Sequence, residues 1–212
     1  MAKKAFIGIG HGGSDSGAVA NGIKEKDANL VMGLACADEL LRHGVEVMLS
    51  RKVDENDPLA ERIKECNVFK PDVAIDIHNN AGGGDGAECF HHYKGGVSKE
   101  LAENILDCIK AIGQNIRGAK TKLNDAGKDY FGFIRETAAP AVIVESAFLD
   151  SKDVQIIDTV DEQKKMGVAI AKGMLKTLGI LWVPESKPDS VENTLQVEAT
   201  KQDGYITVKI RV

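Results

Sequence analysis

The chain predicts an α/β fold: a largely parallel sheet with helices on both faces, followed by a C-terminal β-hairpin tail. Three features point there. Short apolar runs alternate with longer segments of helical spacing, the rhythm of strands joined by crossover helices. The runs VAIDI and AVIVE are almost unbroken in hydrophobicity, as strands covered on both sides are. Near residue 181 the texture changes, and two period-two segments follow a proline-bearing stretch.

In chain order, Ala5–Gly10 reads as the first buried strand. Lys26–His43 is a helix, with Leu30, Leu34, Ala37 and Leu41 at helical spacing and Gly44 as its stop. Val45–Ser50 is a second strand, and Pro58–Asn67 a helix presenting Leu59, Ile63 and Cys66 on one face. Val73–His78 is a strand whose only charged member is Asp76, and Ala87–Tyr93 is another. Lys99–Ile112 carries Leu101, Ile105, Cys108, Ile109 and Ile112 at helical intervals. Phe131–Arg135 is a short ordered segment, Ala141–Ser146 a buried strand, and Gln163–Leu178 the closing helix.

Residues 1–180 therefore form the main domain, and residues 181–212 a linker plus tail. LWVPESKPDS holds two of the five prolines and reads as the linker. TLQVEAT and YITVKIRV alternate in period two around KQDG, Lys201–Gly204, which is a hairpin signal. A lone hairpin is marginal in water, so its apolar faces (Leu195, Val197, Ile206, Val208, Ile210, Val212) need cover from the main domain or from a second copy of the chain.

At 212 residues and 43% hydrophobic, one substantial core is affordable. A formal net charge of −5 excludes a nucleic-acid partner, since no basic excess exists to neutralise phosphates. The four cysteines (Cys36, Cys66, Cys89, Cys108) form no C-x-x-C pair, which removes zinc-ribbon and thiol-redox readings; three sit in apolar runs as small hydrophobes. No run approaches the ~18 apolar residues of a membrane helix. The apolar stretch after Lys3 and Lys4 is too short for a secretory h-region, so synthesis in the cytoplasm without a visible signal peptide is the expectation.

The chemistry-bearing question lies in GIGHGGSDSGA, residues 8–18. Its glycines satisfy G-x-G-x-x-G, but a dinucleotide turn must open a helix directly. Here the helical pattern begins only near Glu25, and no phosphate-binding lysine motif follows. Inspection of strand ends, where open α/β sheets gather ligands, is more productive. His11 follows the first strand, His78 ends VAIDIH, and Glu145 sits in AVIVE; Glu25 stands where the first loop turns into its helix. Two imidazoles and one carboxylate make a zinc site with an open position, and a further carboxylate can move protons. Spacing alone leaves Glu25 open between a ligand and a helix-dipole carboxylate. His43 reads as a helix cap, and His91 and His92 point to opposite faces of a strand.

The ordered set GHGGSDSGA, Glu25, Ser50-Arg51, IDIHNNA, RGAK at 117–120 and PAVIVESAFLDSKD at 140–153 resembles the zinc-dependent N-acetylmuramoyl-L-alanine amidases of the amidase_3 type, wall hydrolases of bacteria and phages. The resemblance covers roughly residues 4–180. It implies a roughly six-stranded sheet, one zinc ion held by His11, Glu25 and His78, and Glu145 as the catalytic acid/base. Asp76 departs from the serine that many relatives carry, at a position that is not a ligand.

The implied substrate is peptidoglycan, cleaved between the lactyl group of N-acetylmuramic acid and L-alanine. Asn79, Asn80, Arg51 and Arg135 are candidate substrate contacts, with Arg135 or Lys128 as a clamp for acidic groups of the stem peptide. The glycine-rich loops 12–22 and 82–86 suit either an open groove or plain surface turns. Alternatives are another zinc peptidase or deacetylase, and a non-catalytic wall-binding protein. Lack of a visible export signal favours a phage endolysin, acting on the wall after release, over a bacterial autolysin or spore-associated amidase. The tail matches no repeat-type wall-binding module and reads as a self-association element or a shortened wall-binding remnant.

Overall fold

The structure is a computed structural model that describes residues 2–185, 196–202 and 205–211. One compact unit ends at Trp182, and Val183–Val212 form a second. In chain order the elements are β1 (Lys4–Ile9), β2 (Val19–Ala20), β3 (Ile23–Lys24), α1 (Glu25–Arg42), β4 (Glu46–Leu49), α2 (Leu59–Phe69), β5 (Val73–Asn80), β6 (Ala87–His91), α3 (Val97–Ala111), β7 (Ile116–Lys120), α4 (Gly132–Glu136), β8 (Ala141–Phe148), a 3-10 turn (Lys152–Ile156), α5 (Val160–Thr177), β9 (Gln196–Gln202) and β10 (Tyr205–Arg211).

Six strands form one sheet in the order β4-β1-β5-β8-β6-β7. The β1–β4, β1–β5, β5–β8 and β6–β7 ladders are parallel, whereas β6 runs antiparallel to β8. The reversal follows from the chain: residues 81–86 join β5 to β6 as a short glycine-rich loop, and a parallel return needs a crossover of a dozen residues or more. The sheet is thus largely, not wholly, parallel. β7 was not expected from the sequence. IRGAK is an edge strand with a central glycine and two cations, and it has neither the apolar run nor the alternation that marks a strand. The expected short segment at Phe131–Arg135 is the helical turn α4. The glycine-rich loop after β1 contains the small β2–β3 hairpin.

Strand alternation sorts the core into two layers. Ala5, Ile7, Ile9, Ile75, Ile77, Val142 and Val144 face α1, α3 and α5 in the larger cluster. Phe6 and Ala74 face α2 and α4, meeting Ile63, Cys66 and Phe133 in a smaller one. That second layer covers the first half of β5 and β8 and stops there. Beyond it, on the same face, come the polar ends of the strands. Cys36, Cys66 and Cys89 are buried and Cys108 half-buried.

α5 starts with a reciprocal capping box between Thr159 and Glu162 and lies against α1 and α3. The approach is close enough to require glycine at two crossings: Gly167 faces the Met32 carbonyl of α1, and Gly173 faces Ile105 and Asn104 of α3. β9 and β10 pair antiparallel, with Tyr205 opposite Gln202. Residues 186–195, 203–204 and Val212 lie outside the described residues, and with them the second half of the expected linker, part of KQDG and the hairpin residue Leu195. The expected cover for the hairpin's apolar faces falls there too. Among the described residues no helix is long and apolar enough to cross a membrane.

At Gly173 a methyl group would meet the α3 backbone, which has no side chain to swing away. Gly173→Ala should therefore destabilise the fold by about 1–3 kcal/mol, although alanine is the better helix former by ~1 kcal/mol. Urea denaturation measures this; an unchanged or raised midpoint would contradict the tight crossing.

Candidate metal centre and active site

Where β1 ends, Gly10 donates its N–H to the Ile77 carbonyl (3.0 Å), and the chain turns at His11 in the left-handed region, φ 63°. Gly10 is required by the neighbour across the sheet, because a Cβ there would occupy the His78 ring. Gly17 is required twice over: its φ is +62°, and a Cβ would strike Glu25 and His11. Gly10 and Gly17 thus make room for the site's own side chains.

Glu25 is the first residue of α1 and 4% exposed. Its Oε2 lies 3.2 Å from His11 Nε2 and accepts from the Ala18 N–H at 2.9 Å. Its Oε1 lies 3.1 Å from His78 Nδ1 and accepts from the Asn79 N–H at 3.0 Å. The two imidazoles stand edge to face with centroids 5.0 Å apart. One candidate ligand atom from each of His11, Glu25 and His78 lies within 4.8 Å of the others, so the three could hold a metal ion.

Each ring has a carboxylate at its other nitrogen. Asp15 Oδ2 is 2.8 Å from His11 Nδ1, and Asp76 Oδ2 is 3.4 Å from His78 Nε2. Asp76 is buried and also takes both of its oxygens to Arg62 Nη1, at 3.0 and 2.9 Å. Arg62 Nε donates to Asp57 at 3.0 Å, and Asp57 accepts from Ser50 Oγ at 2.6 Å. A chain of ionic hydrogen bonds therefore runs from α2 to the back of His78.

These contacts set the electrostatics. Burial alone would raise the Glu25 carboxyl, but hydrogen bonds from His11 and His78 hold it well below the usual carboxylate range. Burial opposes charge on His78, yet Asp76 and Glu25 outweigh it and push the ring up to about 10. His11 is raised, chiefly by its hydrogen bond to Glu25.

Glu145 stands directly opposite His78 in the β5–β8 register, on the same face. Its Oε2 is buried with no hydrogen-bond partner among the described residues. Burial, followed by the Glu25, Glu88 and Asp76 carboxylates and opposed by His78, pushes it up to about 7. A carboxyl poised there can both take and return a proton near neutrality. Beside the two histidines opens a cavity of about 600 Å³, lined by Phe131, Phe133, Ile143, Asp15, Asn56 and Leu59.

The expected substrate contacts fare differently. Arg51 is 2% exposed and donates to the carbonyls of Ile9, Val53 and Lys26 at 3.2, 3.2 and 2.6 Å, tying the end of β1 to the start of α1. Arg135 donates to the carbonyls of Asp129 and Tyr130 and to Glu136, fixing the turn before α4. Both guanidinium groups are occupied in holding the fold. Asn79 is buried against Asn29, and Asn80 donates to Glu88 at 3.1 Å, so neither side chain reaches out as a primary contact. Lys128 belongs to an exposed turn whose backbone is capped by Asn124. His43 bonds the Glu39 carbonyl within α1, and His92 lies 3.2 Å from Asp129, both outside the site. Unforeseen in the sequence were the aromatic lining at Phe131 and Phe133 and the carboxylate Glu88 beside Glu145; RGAK had carried the resemblance without a role.

A family model described as Amidase_3, N-acetylmuramoyl-L-alanine amidase, matches residues 6–176. The chain belongs to this family. Amidase CwlM of Bacillus licheniformis is 34% identical over 190 residues, covering 84% of this chain and 72% of that protein. An endolysin of Bacillus phage SPP1 is 32% identical over 220 residues, covering 98% of this chain and 80% of that one. Among solved structures, the catalytic domain of CwlV, an N-acetylmuramoyl-L-alanine amidase from Bacillus (Paenibacillus) polymyxa var. colistinus, superimposes with a TM-score of 0.76 at 30% identity, covering 84% of this chain and 99% of that domain. This amidase is a hydrolase of peptidoglycan, and its mixed six-stranded sheet is the fold of its relatives.

The Arg62–Asp76 pair beneath His78 makes a stability prediction for the amidase. Asp76→Ala leaves the buried guanidinium of Arg62 short of its larger partner and should cost about 3–5 kcal/mol. Chemical denaturation tests this, and a loss under ~1 kcal/mol would show that Asp57 alone suffices.

Proposed function

We propose that His11, Glu25 and His78 hold one zinc ion and that Glu145 is the proton carrier in cleavage of the amide between the lactyl group of N-acetylmuramic acid and L-alanine. The donor set fits the ion. Zinc at ~2.0–2.1 Å from tetrahedral ligands sets neighbouring ligand atoms about 3.3 Å apart. The Glu25 oxygens lie 3.2 Å from His11 Nε2 and 3.1 Å from His78 Nδ1. Asp15 and Asp76 at the outer ring nitrogens match the carboxylate–imidazole pairs that orient metal-binding histidines. Three protein ligands leave a fourth position for water or substrate.

Zinc bound there supplies Lewis acidity toward the amide carbonyl and lowers the pKa of water to about 7. Glu145 Oε2 accepts the proton of the attacking water and delivers it to the departing nitrogen of L-alanine. The buried, unpartnered Oε2 is the observation that carries this assignment. It also counts against a non-catalytic wall-binding protein, in which an orphaned carboxylate on an otherwise apolar strand is pure cost. A zinc peptidase or deacetylase would use the same donors. The family match supports the muramoyl amide, and detection of a new amino terminus on L-alanine after wall digestion distinguishes the three.

Action on the bacterial wall after release from the cell, as a phage endolysin, is supported by the span of the match to the SPP1 endolysin. That match takes in 98% of this chain, whereas the match to CwlM covers 84%. Residues 181–212 then act as a wall-binding remnant or a self-association element.

Glu145→Gln should lower kcat by about 10²–10⁴-fold while zinc content stays at about one per chain. Near-normal turnover in the zinc-loaded variant would remove Glu145 from the mechanism. Zinc must also displace protons from the imidazoles, because Glu25 and Asp76 keep His78 protonated up to about pH 10 in the metal-free chain. Titration calorimetry at pH 7 in buffers of different ionisation enthalpy should record release of about one to two protons per zinc, and affinity should fall as pH falls. Zero release would show that zinc displaces no proton from these imidazoles at pH 7.

A further inference from the structure

We propose that Arg117 and Lys120, held by Glu88, form an anion subsite that receives the free carboxylate of the stem-peptide residue following L-alanine. This inference rests on the amidase reading of the adjoining site.

The subsite is built on β6 and β7. Glu88 lies directly opposite Glu145 in the antiparallel β6–β8 register and opposite Gly118 of β7. His78, Glu145 and Glu88 therefore stand in a row across three neighbouring strands, about 4.8 Å apart. Glu88 is 6% exposed, and its Oε2 receives both Arg117 Nε at 2.6 Å and Lys120 Nζ at 2.5 Å. Its Oε1 receives Asn80 Nδ2 at 3.1 Å. Two cations on one buried carboxylate leave a net positive charge at the surface, beside the carboxylates of the catalytic row.

Arg117 is held in place and still available. Its guanidinium lies over the Phe148 ring at 5.0 Å, and only Nε is bonded among the described residues. The fork of Nη1 and Nη2 is open, on a side chain 39% exposed; Lys120 is 34% exposed. Planar guanidinium with two parallel donors is the geometry that matches a carboxylate. The occupied forks of Arg51, Arg62 and Arg135 are the contrast.

Length also fits. Arg117 leans back toward β6, one strand spacing, ~4.8 Å, from the Glu145 strand. One residue of extended peptide spans ~3.3–3.6 Å, so a carboxylate on the residue after L-alanine falls in the range of an arginine that already reaches back from β7 to Glu88, the neighbour of Glu145.

The test compares N-acetylmuramoyl-L-alanyl-D-isoglutamate with its isoglutamine counterpart, which replaces that carboxylate by a carboxamide. The zinc-loaded full chain should show kcat/KM about 10–100-fold higher for the acid. Arg117→Gln and Lys120→Gln should each shrink that ratio, and the Arg117 variant should bring it to within about twofold. A merely structural role would depress both substrates together and leave the ratio intact. A ratio near one in the unmodified protein, or a ratio untouched in both variants, overturns the proposal. If neither compound is cleaved, the hydrolytic reading of the site fails separately. Calorimetric binding of the two compounds then decides the subsite: preference for the acid supports it, and equal affinity overturns it.

Discussion

The site is organised around one buried anion. The Glu25 carboxylate, almost wholly removed from water, is stable only because His11, His78 and two backbone N–H groups surround it. Those partners come from the loop after β1, from β5 and from the approach to α1, so the charge holds three distant parts of the chain together. Much of the nearby structure serves that meeting. Arg51 ties β1 to α1 from behind, and Asn29 backs both Glu25 and Asn79. The glycines at positions 10 and 17 clear the space in which the side chains converge.

The sheet makes the meeting possible by leaving half of one face bare. α2 and α4 cover Phe6, Ala74, Ala141 and, in part, Met48 on that face, while α1, α3 and α5 pack against the opposite face in the larger cluster. The polar ends of β5 and β8 thus project into the open without disturbing the larger core. Burial is still sufficient to keep Glu145 protonated up to about 7, which water on all sides would not allow. A carboxyl shifted to near neutrality and a solid fold are compatible here because the two layers differ in extent.

Periodicity and strand ends made the main architecture legible. Continuous apolar strands revealed β1, β5 and β8, and the polar residues interrupting their ends marked His11, His78 and Glu145, which the fold brings together. Glu25 was undecided from spacing, since a carboxylate in a first helical turn has an ordinary reason to be there; the resemblance marked it as a ligand, and the structure sets its carboxylate between His11 and His78. Arg51 and Arg135 were open in the opposite direction. An arginine near a site resembles a substrate clamp in sequence, and nothing local shows that its donors are already committed to backbone carbonyls. The glycine-rich loops 12–22 and 82–86 were equally ambiguous, and within the first of them Gly17 has a reason that neither a groove nor a surface turn supplies, the packing of Glu25 and His11 against it.

What the strand-end rule missed has a single topological origin. In a parallel sheet the carboxyl ends of all strands gather at one edge, and a search confined to those ends finds the site. β6 runs the other way, so it is its beginning, Glu88, that lies beside Glu145. β7 follows β6 in direction, and its sequence lacks the signature of a strand, so Arg117 and Lys120 had no place in a reading made from strand ends. The short loop 81–86 that forces the reversal is itself tied down, with Asp150 accepting from the N–H groups of Gly82 and Gly83 and Asp153 from that of Gly86. A reversed pair at one side of a parallel sheet therefore brings Glu88 and Arg117, near the starts of their strands, beside a site otherwise built from strand ends, and Lys120 reaches the same Glu88 carboxylate from the far end of β7.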